Sequence, residues 1–175
     1  MKKKVIIMAW WWTWWHVFPI KSLIETAIAD KKYSDQIKQI IWFGTKDSLE
    51  QETANKFWDK VKFIPILSGK FRRETPLKSH LKNIRDFFLF ITWCFQSIYY
   101  LCKVKADVIF CKWWYVALPV VIAGKVLRKK IVVHESDVHS WLVNKIASKF
   151  ATTVFTGFDW VLPNSVTDGQ ILSDD

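Results

Sequence analysis

The chain predicts an α/β fold built as a doubly wound parallel sheet. Short apolar runs recur between helical stretches along its whole length. Several of these runs are apolar and β-branched on consecutive residues, the pattern of strands buried on both faces. The first run, Val5 to Met8, breaks into a loop and then a helix, the βα unit from which such sheets are wound. Strands alternating with helices imply right-handed crossovers, with helices on both faces of one sheet.

The elements follow in order. After Val5 to Met8 comes a helix over Ile20 to Asp30, with Pro19 at its start, where the missing N–H costs nothing. Gln39 to Phe43 is the second strand and Ser48 to Phe57 the second helix, with Asp47 or Ser48 as its cap. Val61 to Ile66 is the third strand, and a long helix over Leu77 to Lys103 follows Pro76. Asp107 to Cys111, Lys130 to His134 and Thr153 to Phe155 complete the strands; helices over Val116 to Leu127 and Trp141 to Phe150 lie between them. From Pro163 onward, Asn164, Ser165, Asp168, Gly169 and Ser173 read as a tail or linker, so the domain is placed at 1–160 and the linker or truncated tail at 161–175.

A chain of 175 residues suits one domain with a sizeable core. Its 26 basic residues against 16 acidic ones give a net charge of +10, which attracts polyanions: an anionic membrane, a diphosphate or nucleic acid. The aromatics cluster in apolar runs and do not interleave with Lys and Arg, which argues against a single-strand nucleic-acid platform. Cys94, Cys102 and Cys111 form no C-x-x-C pair and are odd in number, so neither a disulfide framework nor a zinc site is expected. Lys2-Lys3-Lys4 before an apolar stretch imitates a signal peptide, but no small-residue cleavage site follows.

The loop after the first strand is anomalous. A phosphate-holding turn needs glycine, which reaches positive φ without steric cost and lets a ligand touch the backbone. Here the turn reads Ala9-Trp10-Trp11-Trp12-Thr13-Trp14-Trp15-His16, and indoles fill the space a phosphate would occupy.

With glycine at Trp10, Trp11, Trp12, Trp14 and Trp15, this segment resembles the first loop of the MurG-type UDP-N-acetylglucosamine transferases of glycosyltransferase family 28. Four further blocks keep that family's order: Phe43-Gly44-Thr45-Lys46-Asp47-Ser48-Leu49-Glu50, Leu67-Ser68-Gly69-Lys70-Phe71-Arg72-Arg73, Cys111-Lys112-Trp113-Trp114-Tyr115-Val116, and His134-Glu135-Ser136-Asp137 with Trp141-Leu142-Val143-Asn144-Lys145. The departures are of one kind, family glycine standing as tryptophan, also at Trp58 and Trp160; Trp42 and Trp93 fall where no glycine is expected. The pattern suggests UGA codons that some bacterial codes read as glycine and others as tryptophan.

The resemblance implies a Rossmann-like, GT-B N-terminal domain that binds the acceptor, with the donor pocket largely on a C-terminal domain missing from these 175 residues. The implied reaction is attack of a muramyl hydroxyl, on a diphosphate lipid, at the anomeric carbon of UDP-GlcNAc, inverting and metal-independent, with no cofactor. It places the enzyme peripherally on the cytoplasmic face of the inner membrane, in peptidoglycan synthesis, and the fragment is not expected to turn over alone. His16 is the first catalytic candidate, as base or diphosphate contact, the other reading being a helix cap. Glu135, at a strand's carboxyl end, is the second. Thr13, Trp14, Trp15, Tyr115, Asp137 and Asn144 are implied substrate contacts, although many members carry Asn where Asp137 stands.

The helix after Pro76 carries no charge from Phe87 to Cys102. Crossing a bilayer takes about 20 apolar residues. A helix lying among headgroups fits better, with Phe87, Phe88, Phe90 and Trp93 against lipid and Arg72 and Arg73 on anionic phosphate; packing on the sheet is the competing reading. The rival function is a basic, Trp-rich membrane- or carbohydrate-binding module without catalysis.

Overall fold

The computed structural model describes residues 2–9, 14–57, 59–66, 77–112, 117–136, 146, 148–158 and 165–168, with side chains 14–19 and 77–83 outside that description. Seven strands form one sheet: β1 (Lys4–Ala9), β2 (Ile37–Gly44), β3 (Val61–Pro65), β4 (Val108–Lys112), β5 (Lys130–Glu135), β6 (Thr153–Thr156) and β7 (Val166–Thr167). All pair in parallel, in the order β3-β2-β1-β4-β5-β6-β7. The chain winds outward from β1 to β3, then crosses back to β4 on the other side of β1. The doubly wound expectation is met, and the strand order reverses between β1 and β4.

Alternation along each strand assigns the two faces. Met8, Ile40, Trp42 and Val61 pack with Ile20 and Ile24 of α1 (Trp14–Ala29) and Ala54 of α3 (Leu49–Asn55). Ile7, Ala9, Phe43, Ile109, Cys111 and Val133 pack with Trp93 and Leu101 of α4 (Leu77–Lys103) and Val120 and Val121 of α5 (Leu118–Val126). Gly124 lets α5 press onto the sheet: a Cβ there would overlap Ile109 Cδ1 and lie 3.2 Å from Ile131 Cδ1. Trp42 and Trp93 are both buried, as ordinary core indoles should be.

Several boundaries differ from expectation. α1 begins at Trp14, six residues before Ile20, so Pro19 sits inside the helix, where it removes one backbone bond. Asp30 does not end that helix. It caps the short α2 (Lys31–Ser34), its Oδ1 accepting from the Lys32 N–H at 2.8 Å. Ser48, one of the two caps foreseen, accepts weakly from the Gln51 N–H at 3.4 Å and caps α3. The stretch read as a tail contributes β7, an edge strand. Of the helix expected over Trp141 to Phe150, Ile146 and Ser148 to Phe150 are described and helical.

Candidate active site

Apolar strands end in polar residues at one edge of the sheet. Lys112 closes β4, His134 and Glu135 close β5, Thr156 closes β6, and Ser48 and Glu50 follow β2; all are buried. Charged groups are seldom buried unless paired, so this concentration at the carboxyl edge marks the sheet's polar centre. It flanks the reversal of strand order, where open α/β sheets bind ligands.

Register sorts these residues. Lys112 lies beside His134 and His134 beside Phe155, while Glu135 lies beside Thr156 and Thr156 beside Thr167. Since Cys111 and Val133 point toward α4 and α5, Lys112 and His134 point toward the face covered by α1. Glu135 and Thr156 point toward the α4 and α5 face. Burial pushes the Cys111 thiol, next to Lys112 in the chain, up to about 12, so it stays protonated at neutral pH and serves as core.

Hydrogen bonds stiffen this edge. Gly157 N–H donates to the Glu135 carbonyl at 2.9 Å, and Asp168 N–H donates to the Thr156 carbonyl at 3.2 Å. The Thr156 and Ser165 hydroxyls lie 3.0 Å apart. The His134 ring lies between two polar groups: Nδ1 is within hydrogen-bond distance of Ser136 Oγ at 3.3 Å, and Asp168 Oδ1 stands 3.5 Å from Nε2, an ion pair when the ring is protonated.

Of the sequence candidates, Glu135 is placed at the carboxyl edge and is fully buried. Trp14, Trp15 and His16 form the first turn of α1, which corrects their placement in a loop; the N–H groups of a first turn have no partner within the helix. Their side chains, and Thr13, Tyr115, Asp137, Asn144, Arg72 and Arg73, lie outside the described residues. Sequence reasoning singled out neither Lys112 nor the His134–Asp168 pair. A polar residue ending an apolar run was the available signal for Lys112, whereas nothing in the sequence joins Asp168 to His134.

On α4, Phe87 and Phe88 are 60% and 61% exposed and Phe90 is half-buried. Ile84, Ile91, Phe95 and Tyr99 extend the exposed apolar stripe at helical spacing. Trp93 corrects the expectation: it is 1% exposed and packs in the core, because it projects from the side of α4 that faces the sheet. Among the described residues no helix is long and apolar enough to cross a membrane, and no group of His, Cys, Asp and Glu could hold a metal ion.

The profile of the glycosyltransferase family 28 N-terminal domain matches residues 13–156. The chain belongs to glycosyltransferase family 28. Within that family it is 36% identical over 147 residues to the UDP-N-acetylglucosamine–N-acetylmuramyl-(pentapeptide) pyrophosphoryl-undecaprenol N-acetylglucosamine transferase of Staphylococcus aureus strain MRSA252, covering 84% of this chain and 38% of that protein. The same enzyme from strain JH9 matches to the same extent. The chain therefore spans well under half the length of these family 28 relatives.

Solved structures agree on the fold. Acinetobacter baumannii MurG superposes with a TM-score of 0.68 at 21% identity, over 93% of this chain and 43% of that one. A putative UDP-N-acetylglucosamine 2-epimerase from Listeria monocytogenes gives 0.62 at 10% identity, over 91% and 40%. The described indoles, Trp42 and Trp93, are core residues of this family 28 domain, so neither offers a face to a sugar or headgroup.

Proposed function

We propose that the chain is the acceptor-binding, N-terminal part of a UDP-GlcNAc-dependent N-acetylglucosaminyltransferase that acts on a lipid-linked muramyl diphosphate in peptidoglycan synthesis. One observation carries the reading: Lys112, His134 and Glu135 are all buried at the carboxyl edge of a family 28 domain, beside the reversal of strand order. The transfer needs a base near the attacking hydroxyl, donors for diphosphate charge and fixed orientation of both sugars. Glu135 and His16 are the candidates for the base, and first-turn amides of α1 are donors for the diphosphate. Thr13, Tyr115, Asp137 and Asn144 would line the acceptor side.

The donor sugar nucleotide would be held largely by a further domain, and the enzyme would work peripherally at the cytoplasmic face of the membrane. The α4 stripe Ile84, Phe87, Phe88, Ile91, Phe95 and Tyr99 supports the membrane contact, because it is apolar, exposed and uncovered by any described element. Binding of a muramyl-diphosphate lipid in detergent micelles tests the reading. The chain with glycine at the ten tryptophan positions should bind it; in that background His16→Ala should weaken binding about tenfold, the loss expected for one charge-assisted contact, and Glu135→Gln should leave affinity within about twofold. Failure of that glycine-bearing chain to bind would overturn the acceptor assignment.

A further inference from the structure

The segment 134–136 is clipped on one side of β5. His134 and Ser136 point to the α1 face and approach each other at 3.3 Å, while Glu135 between them points the opposite way. Joining residues on either side of a residue fixes its backbone dihedrals and, with them, the direction of its side chain. The clip is approached from outside by Asp168, whose Oδ1 lies 3.5 Å from His134 Nε2 and pairs with the ring in its protonated form. Asp168 is in turn held by its N–H bond to the Thr156 carbonyl and follows directly on β7.

We propose that Asp168 is a positioning residue for Glu135, acting through His134 and Ser136. The inference rests on the reading of Glu135 as a site carboxylate. Asp168 fixes the His134 ring, the ring fixes Ser136, and the turn between them aims the Glu135 carboxylate. The same contact makes seating of the segment 165–168 a condition for correct aim, so the chain leaving β6 is coupled to the site.

The test is NMR on the full chain labelled with 15N and 13C, comparing imidazole signals of His134 and the side-chain carboxyl signal of Glu135. Asp168→Ala should shift both signals, Asp168→Glu should restore them in large part, and Asp47→Ala, in an exposed loop, should move neither. Core methyl signals of Ile41 and Ile109 should stay in place throughout, which separates loss of aim from general unfolding. An unchanged Glu135 signal in Asp168→Ala, or one that moves only together with the core methyls, overturns the proposal. Should Asp168→Ala fail to fold, the unmodified chain still decides: a His134 ring that exchanges tautomers like free histidine overturns the anchor, and a single fixed form upholds it. If muramyl lipid perturbs no signal of the chain with glycine at the ten tryptophan positions while Asp168→Ala still moves Glu135, the acceptor reading fails and this contact stands.

Discussion

Asp107 grips both backbone groups of Val5: its Oδ2 accepts the Val5 N–H at 2.9 Å, and its own N–H donates to the Val5 carbonyl at 2.9 Å. The contact falls where the β1–β2 register shifts between Lys4 and Val5, so a side chain meets an amide at an irregular point of the ladder. The Val5 N–H holds the Asp107 carboxyl below the usual carboxylate range; partial burial opposes this, and Lys4, Lys2 and Lys129 add to it.

A carboxylate with a lowered folded-state pKa contributes stability above its unfolded value of about 3.9, and loses it as pH falls through the folded value. Asp107→Ala should therefore melt earlier at pH 7, by about 1 kcal/mol, the low end for a bond to a charged acceptor because solvent screens it. The gap should close as the pH is lowered below the folded pKa. Thermal melts across pH check this, and a gap that persists in acid would refute it.

The two sides of α4 should respond oppositely. Trp93→Ala, in the core, should cost about 3 to 5 kcal/mol of stability. Replacing Phe87 and Phe88 together by Ser should change stability by less than about 1 kcal/mol, since both are mostly exposed. The double variant should nevertheless lose most binding to vesicles containing anionic lipid, measured by sedimentation. Retained vesicle binding would remove the exposed stripe from the membrane contact.

The ten tryptophans at glycine-type positions should be glycine in protein isolated from its own cells. Both tryptophans that the resemblance leaves in place, Trp42 and Trp93, are buried where an indole fits, and Gly44 and Gly124 remain where an added Cβ would collide with Phe63 and Ile109. Mass spectrometry of the tryptic peptide from Val5 to Lys21 decides, because it carries five of the ten positions. A mass requiring five indoles would end the idea.

Continuous β-branched runs make six strands legible, and the helix from Leu77 to Lys103 is predicted at its observed bounds because Pro76 precedes it and the charged Lys103, Lys105 and Asp107 end its apolar run. The start of α1 was hidden, since Trp14 to His16 carry no helical periodicity and Pro19 looked like a first residue. β7 was missed because two residues in a polar stretch give no period. In the site, Glu135 could be read from its place at the end of an apolar run. The His134–Asp168 contact could not, because it depends on a return of the chain after β6 that only the folded sheet specifies. Trp93 was assigned to the wrong side because a helix apolar nearly all round does not announce which stripe faces the sheet.

The central place of β1 has a consequence for how the molecule is made. Its partner β2 follows within a few tens of residues, but its other neighbour, β4, begins only at Val108. A nascent chain emerging from the ribosome must therefore carry one bare, hydrophobic strand margin until β4, beginning at Val108, has been translated. Non-local parallel pairing is slow, and such an open margin invites contact with other unfinished chains. Holdase chaperones acting on the first hundred residues are thus expected to govern the yield of this domain more than its final stability does.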